Sequence, residues 1–193
     1  MPAEVFPGVS DDFVKLNQKY YNDIPDDIKK ALNDNGVKFQ IGEKVTQVLP
    51  ELKGVHPRGW PKGSTWDSAE GLYRQADKTV LNCENVRPIG QKVFQKNNRP
   101  ESIFKHETGH AVDKAVLDKF SHTDNFADAW MTDAMNLSEK QKRTHSYLLQ
   151  KGNAGREETF AEIFSDLMGN VGYLKAAETF PNTTKLIKKT LKL

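Results

Sequence analysis

The chain has 193 residues, 37% hydrophobic and 28% charged, with a formal charge of +2 at pH 7. These are ordinary values for a globular protein long enough to bury a core. The charge is too small to argue for nucleic acid as a partner, no stretch is long and apolar enough to span a membrane, and the lone Cys83 excludes an intrachain disulfide.

Met1-Pro2-Ala3-Glu4-Val5 has neither the basic nor the apolar region of a secretory signal. Ser10-Asp11-Asp12 reads as a helix start, with Phe13, Val14, Leu16, Tyr20 and Tyr21 as its buried stripe. A second helix is expected from Pro25 to just before Asn35-Gly36. Val37, Phe39 and Ile41 alternate with polar residues, the period of a half-buried strand that Gly42 closes. Pro50 to Asp67 is irregular and carries Trp60 and Trp66, aromatics that either pin the loop to the body or line a site. Residues 71–74 and 79–82 read as two short strands joined near Gln75-Ala76-Asp77.

Beyond Asn98 the pattern is helical, with helices expected near 99–120, 124–135, 138–148, 157–169 and 171–191, the last divisible at Pro181. Ser138 and Gln141 suit a capping box. The basic tail, residues 185–193, reads as a solvated helical face. Strands early and helices late predict one α+β domain: a helical part (1–36), strands and loops (37–98) and a helical, metal-binding part (99–193). A monomer is the favoured state.

The chemistry concentrates in His106-Glu107-Thr108-Gly109-His110. On a helix, side chains four apart share a face, so two neutral imidazoles can reach one Zn²⁺ at about 2.0–2.1 Å. Glu107 lies beside them, placed to take a proton from a metal-activated water. Gly109 weakens a helix interior by roughly 1 kcal/mol against Ala, which calls for compensation through a close approach of substrate or backbone. Such a pentapeptide arises by chance in roughly one chain in a hundred or two of this length, so a third ligand is required.

The zinc-peptidase pattern that continues H-x-x-G-x-x-H is excluded, because Asp113 and Val116 occupy its Gly and His positions. Nothing around Cys83 supports a thiolate ligand. A glutamate on a second helix remains. Phe160, Ile163, Phe164, Leu167 and Met168 form one buried stripe, and Glu158 and Glu162 lie one turn apart on a different face. Such a pair suits a ligand and a carboxylate that orients a histidine N–H. Glu157 is the second choice of ligand, and all three also fit as acidic first-turn residues facing the helix dipole.

His106-Glu107-x-x-His110, Glu158-x-Phe160-Ala161-Glu162-x-Phe164, their separation, and the Arg58-Gly59-Trp60…Thr65-Trp66-Asp67…Gly71 segment together resemble the anthrax lethal factor-like metallopeptidases, a group that includes secreted Pro-Pro endopeptidases. The resemblance implies a zincin-like domain, zinc on His106, His110 and Glu158, Glu107 as general base, and Glu162 behind a ligand. It further implies a peptide or protein substrate and a secreted protein or toxin. The family also places an oxyanion-stabilising tyrosine seven residues before the ligand glutamate. Here that position is Lys151, and the nearest upstream tyrosine is Tyr147, eleven before. Either extra residues in the 150–155 loop bring Tyr147 to the site, or it packs on the 138–148 helix. Tyr173 is a weaker substitute, and failing a tyrosine the task falls to His145, Lys151 or the metal. The departure leaves open a degenerate, non-catalytic zinc-containing binding module. The Trp60–Asp67 loop and the two strands after it are expected to border a peptide-binding cleft.

Overall fold

The computed structural model describes residues 3–57, 60–170 and 172–193; Arg58 and Gly59 of the segment quoted above, and Val171, lie outside them. Strand β1 (Ala3–Val5) leads into helix α1 (Asp11–Asn22), whose first turn is capped by Ser10 Oγ accepting from Phe13 N at 3.3 Å. The cap is itself tied to Glu84, which accepts from Ser10 N at 2.9 Å and from Ser10 Oγ at 2.6 Å. The buried face of α1 is Phe13, Asn17, Tyr20 and Tyr21, while Leu16 is 42% exposed. A polar residue takes the expected apolar position because its hydrogen bonds are met: Asn17 donates to Phe13 O and accepts from Asn82, both at 2.8 Å.

Helix α2 (Asp26–Asp34), strand β2 (Lys38–Gly42) and a single turn, α3 (Val45–Val48), follow. Strands β3 (Gly71–Arg74) and β4 (Thr79–Cys83) complete a four-stranded sheet in the order β1-β2-β4-β3. Its first three strands run parallel, and β3 pairs antiparallel to β4 with Leu72 opposite Leu81. β3 therefore forms one edge of the sheet. Two-residue strands β5 (Asn85–Val86) and β6 (Gln95–Lys96) make a separate small ladder. β1, β5 and β6 are too short to show alternation, which is why periodicity missed them.

Helix α4 (Pro100–Ala111) packs against the sheet, with Phe104 stacked on Phe39 of β2 at 5.6 Å between centroids. The helix expected to reach residue 120 stops at Ala111. A single wide turn over Val112–Val116 follows, and Asp118 and Lys119 take positive φ. The cause is Asp113, fully buried, whose carboxylate accepts from Ser121 N at 2.7 Å and Ser121 Oγ at 2.6 Å and hooks the chain back.

Helices α5 (Asp124–Met135), α6 (Glu139–Thr144), α7 (Asn153–Leu167), α8 (Ala176–Thr179) and α9 (Pro181–Leu191) complete the order. The Ser138–Gln141 capping box forms as expected. Helix α6 ends earlier than the predicted 148, α7 begins before the predicted 157, and the 171–191 segment divides at Pro181. Asp133 on α5 caps α9 from outside, accepting from Thr183 N at 2.9 Å and Asn182 Nδ2 at 2.7 Å. The result is the α+β arrangement expected, with the sheet in the N-terminal half and helices after it.

The contact that positions the site is α4 against α7. A Cβ built on Gly109 would lie 2.8 Å from Ala161 Cα and 3.2 Å from Phe164 Cβ. Backbone, not substrate, makes the close approach that compensates a mid-helix glycine. Gly109→Val is expected to destabilise the protein by about 1–3 kcal/mol through overpacking; an unchanged denaturation midpoint would contradict this tight crossing.

Candidate metal centre

Helix α4 projects His106 and His110 from one face, and α7 brings Glu158 opposite them. Glu158 Oε2 lies 3.2 Å from His106 Nε2 and 3.4 Å from His110 Nε2, and one ligand atom from each of the three residues lies within 4.8 Å of the others. The two rings stand nearly perpendicular, at 86°, with centroids 4.8 Å apart. Both histidines are nearly buried, at 9% and 8% exposure.

Glu158 Oε2 is buried without a hydrogen-bond donor, although two imidazole nitrogens face it. Such an atom is costly unless something positive satisfies it. The electrostatics agree. Burial pushes the His106 imidazole down, yet Glu158 and Glu162 outweigh it and hold the group well above its usual value. Burial pushes Glu158 up, and His106 and His110 outweigh that to hold it below the usual carboxylate range. The pocket demands positive charge at the point where two nitrogens and a carboxylate oxygen converge, and that donor set fits a divalent metal ion. Glu162 Oε1 sits 3.0 Å from His106 Nδ1, on the far side of that ring.

Glu157 does not join this group. Its carboxylate lies 2.8 Å from Lys114 Nζ and 2.6 Å from His122 Nε2. One residue along α7 rotates a side chain by about 100°, which takes Glu157 out of the histidine face. Cys83 is also elsewhere, buried in a small cluster with Val45, Leu49, Ala69 and Leu81. Burial raises Glu157, but Lys114 and His122 more than offset it and lower the group below 4.5. A carboxylate depressed in the folded state contributes stability above its unfolded value and loses it as pH falls through the folded one. Glu157→Gln is therefore expected to cost most stability at neutral pH, with the difference in melting temperature shrinking as pH falls below 4.5. A gap independent of pH would contradict the pairing.

A cleft of about 390 Å³ opens beside the histidines, lined by Trp60, Glu70, Gly71, Arg99, Ser102, Ile103, His106, Glu107, Tyr147, Glu162 and Leu174 among others. The two tryptophans divide the two readings of their loop: Trp60 borders the cleft, whereas Trp66 packs on the Cys83 cluster. Tyr147 is half-exposed and lines the cleft together with His106, Glu107 and Glu162. Burial raises its pKa, and the carboxylates of Glu158, Glu107 and Glu162 push it further the same way. The residues weighed as substitutes are not among those that line the cleft. His145 Nδ1 and Nε2 face the carbonyls of Gln141 and Leu174, Tyr173 is 85% exposed, and Lys151 is exposed. Arg99, which reaches Glu70 Oε2 through Nε at 2.8 Å, carried no sequence signal because it stands just outside α4.

The family model described as "Anthrax toxin lethal factor, N- and C-terminal domain" matches residues 9–189. The chain belongs to this family. Among its curated relatives, a Pro-Pro endopeptidase of Paenibacillus alvei is 37% identical over 115 residues, covering 58% of this chain and 49% of that protein. A Pro-Pro endopeptidase of Clostridioides difficile (strain 630) is 31% identical over 139 residues, covering 70% of this chain and 56% of that protein. The chain thus spans about half the length of the curated relatives it matches. The solved structure of the Pro-Pro endopeptidase PPEP-2 from Paenibacillus alvei superposes with a TM-score of 0.67 at 26% identity, covering 97% of this chain and 96% of that one.

Proposed function

We propose that this chain is a zinc-dependent endopeptidase. The observation that carries the reading is the convergence of His106, His110 and Glu158 beside Glu107 in a cleft next to the edge strand β3. Family membership supports it. Two imidazoles, one carboxylate and room left for a further ligand make a catalytic zinc set rather than a closed structural one.

Zinc held there would supply Lewis acidity toward the scissile carbonyl and toward water. The remaining work falls to the chain. Glu107 takes a proton from the attacking water and returns it to the leaving amine. Tyr147, a phenol protonated at neutral pH and lining the cleft, would donate a hydrogen bond to the carbonyl oxygen as negative charge develops on it. Glu162 Oε1, 3.0 Å from His106 Nδ1, would orient the ring with Nε2 turned toward Glu158. The binding-module alternative rested on the lack of a tyrosine at position 151; Tyr147 at the cleft supports the enzyme reading over it.

A peptide lying along β3 would be held by main-chain hydrogen bonds, as in strand addition. The relatives' name makes peptides with adjacent prolines the first substrates to try. Proline lacks an N–H, so side-chain fit against Trp60, Ile103 and Leu174 must then supply what the ladder loses. By resemblance alone, we place its action outside the cell. A peptide library rich in Pro-Pro pairs, incubated with zinc-loaded protein and read by mass spectrometry, tests the reading. Cleavage at a defined position, absent with chelator, is the expected result. An intact library would leave the zinc-containing binding module.

A further inference from the structure

His145 is buried, at 6% exposure, and its ring meets Phe180 edge-on at 6.3 Å. Nδ1 lies 2.8 Å from Gln141 O in α6, and Nε2 lies 2.8 Å from Leu174 O, in the segment before α8. Thr179 Oγ1 sits 3.3 Å from the same Nε2. A polar ring in a core position costs stability unless its nitrogens find partners. A neutral imidazole carries one N–H, so the tie to the Leu174 segment is made by the tautomer with the proton on Nε2, which donates to Leu174 O. What these contacts join matters: Leu174 lines the cleft, and so does Tyr147, two residues after His145.

Tyr147 sits on a strap of turns between α6 and α7, without helix or strand to fix it. Beyond Tyr147 the strap is held to α7. Leu148 O accepts from Thr159 Oγ1 at 3.1 Å, and a Cβ on Gly155 would lie 2.5 Å from Gln150 O. Before Tyr147, His145 ties the strap to the Leu174 segment when Nε2–H donates to Leu174 O at 2.8 Å. That segment is anchored in turn, because Asp166 on α7 accepts from Gly172 N and Ala177 N, both at 2.9 Å.

We propose that His145 is a positioning residue that fixes the strap against the Leu174 segment and so holds Tyr147 in the cleft beside His106 and Glu107. Its kinetic consequence rests on the peptidase reading; its effect on the Tyr147 ring does not. A misplacement of about 1 Å in a group that acts on the transition state costs up to roughly a hundredfold in rate.

The test uses the full chain labelled with 3-fluorotyrosine, whose five tyrosines give five fluorine resonances assigned by single Tyr→Phe changes. Tyr173, 85% exposed, reports the solvent position, and the buried Tyr20 and Tyr21 report the core. In His145→Leu the Tyr147 resonance is expected to move toward that of Tyr173 while Tyr20 and Tyr21 stay. In parallel, kcat falls about tenfold or more with KM and zinc content held, His145→Gln recovers part of the loss, and Tyr147→Phe abolishes the further effect. An unmoved Tyr147 resonance in folded His145→Leu, or losses that add in the double variant, would overturn the proposal. Should Tyr20 and Tyr21 also move, Thr179→Val, which removes one hydroxyl at the ring, serves with the same readouts. If the wild-type protein cleaves nothing, the peptidase reading fails while the resonance test still decides the role of His145.

Discussion

Glu107→Gln is expected to bind zinc as the unsubstituted protein does and to lose roughly a hundred- to ten-thousandfold in kcat/KM, the range for removing a general acid–base group. Glutamine keeps the size and polarity of the side chain but cannot take up the proton. Glu107 lines the cleft beside His106 and is outside the His106–His110–Glu158 group, so its loss leaves the donor atoms in place. The measurement pairs elemental analysis with steady-state kinetics on one preparation. Full activity with full zinc would assign the base elsewhere; lost zinc would make Glu107 a ligand.

The second large effect is on metal content. Glu158→Ala removes the carboxylate oxygen that faces both imidazoles and is expected to weaken zinc binding well beyond the roughly 10- to 100-fold typical of groups behind a ligand. Glu157→Ala, one residue away, leaves zinc affinity unchanged within about threefold, since that side chain is committed to Lys114 and His122. The pair of variants separates a ligand from a merely acidic helix turn. Thermal unfolding gives the same answer by another route. Free zinc at a hundred times its Kd stabilises a folded protein by about 2.7 kcal/mol, a gain expected in the Glu157 variant and lost in the Glu158 variant. Equal gains in both would contradict the ligand assignment.

The parts of the site that lie on single helices were legible in the sequence. His106 and His110 on α4, and Glu158 with Glu162 on α7, owe their placement to a period of 3.6 residues that any reader of the chain can apply. The glycine between the histidines also announced a close approach, and Ala161 supplies it. What was not legible depends on contacts distant in sequence. Nothing near Asp113 signals that Ser121 will hook the chain there and end α4 early. Leu16 looked like core until Asn82 arrived from β4 to satisfy Asn17. The place of Tyr147 was open for the same reason: its strap is held by Thr159, Gly155 and Leu174, from two other segments. Local pattern set the faces that carry His106, His110 and Glu158, and tertiary contacts decided which tyrosine borders the cleft.

Titrating metal-free protein with zinc while following cleavage of a peptide found in the library tests the central claim most directly. Activity is expected to rise from zero in proportion to added zinc and to level off at about one equivalent, the stoichiometry of a single catalytic site. Cleavage at full rate before any zinc is added, or a rate indifferent to the metal throughout, would contradict it.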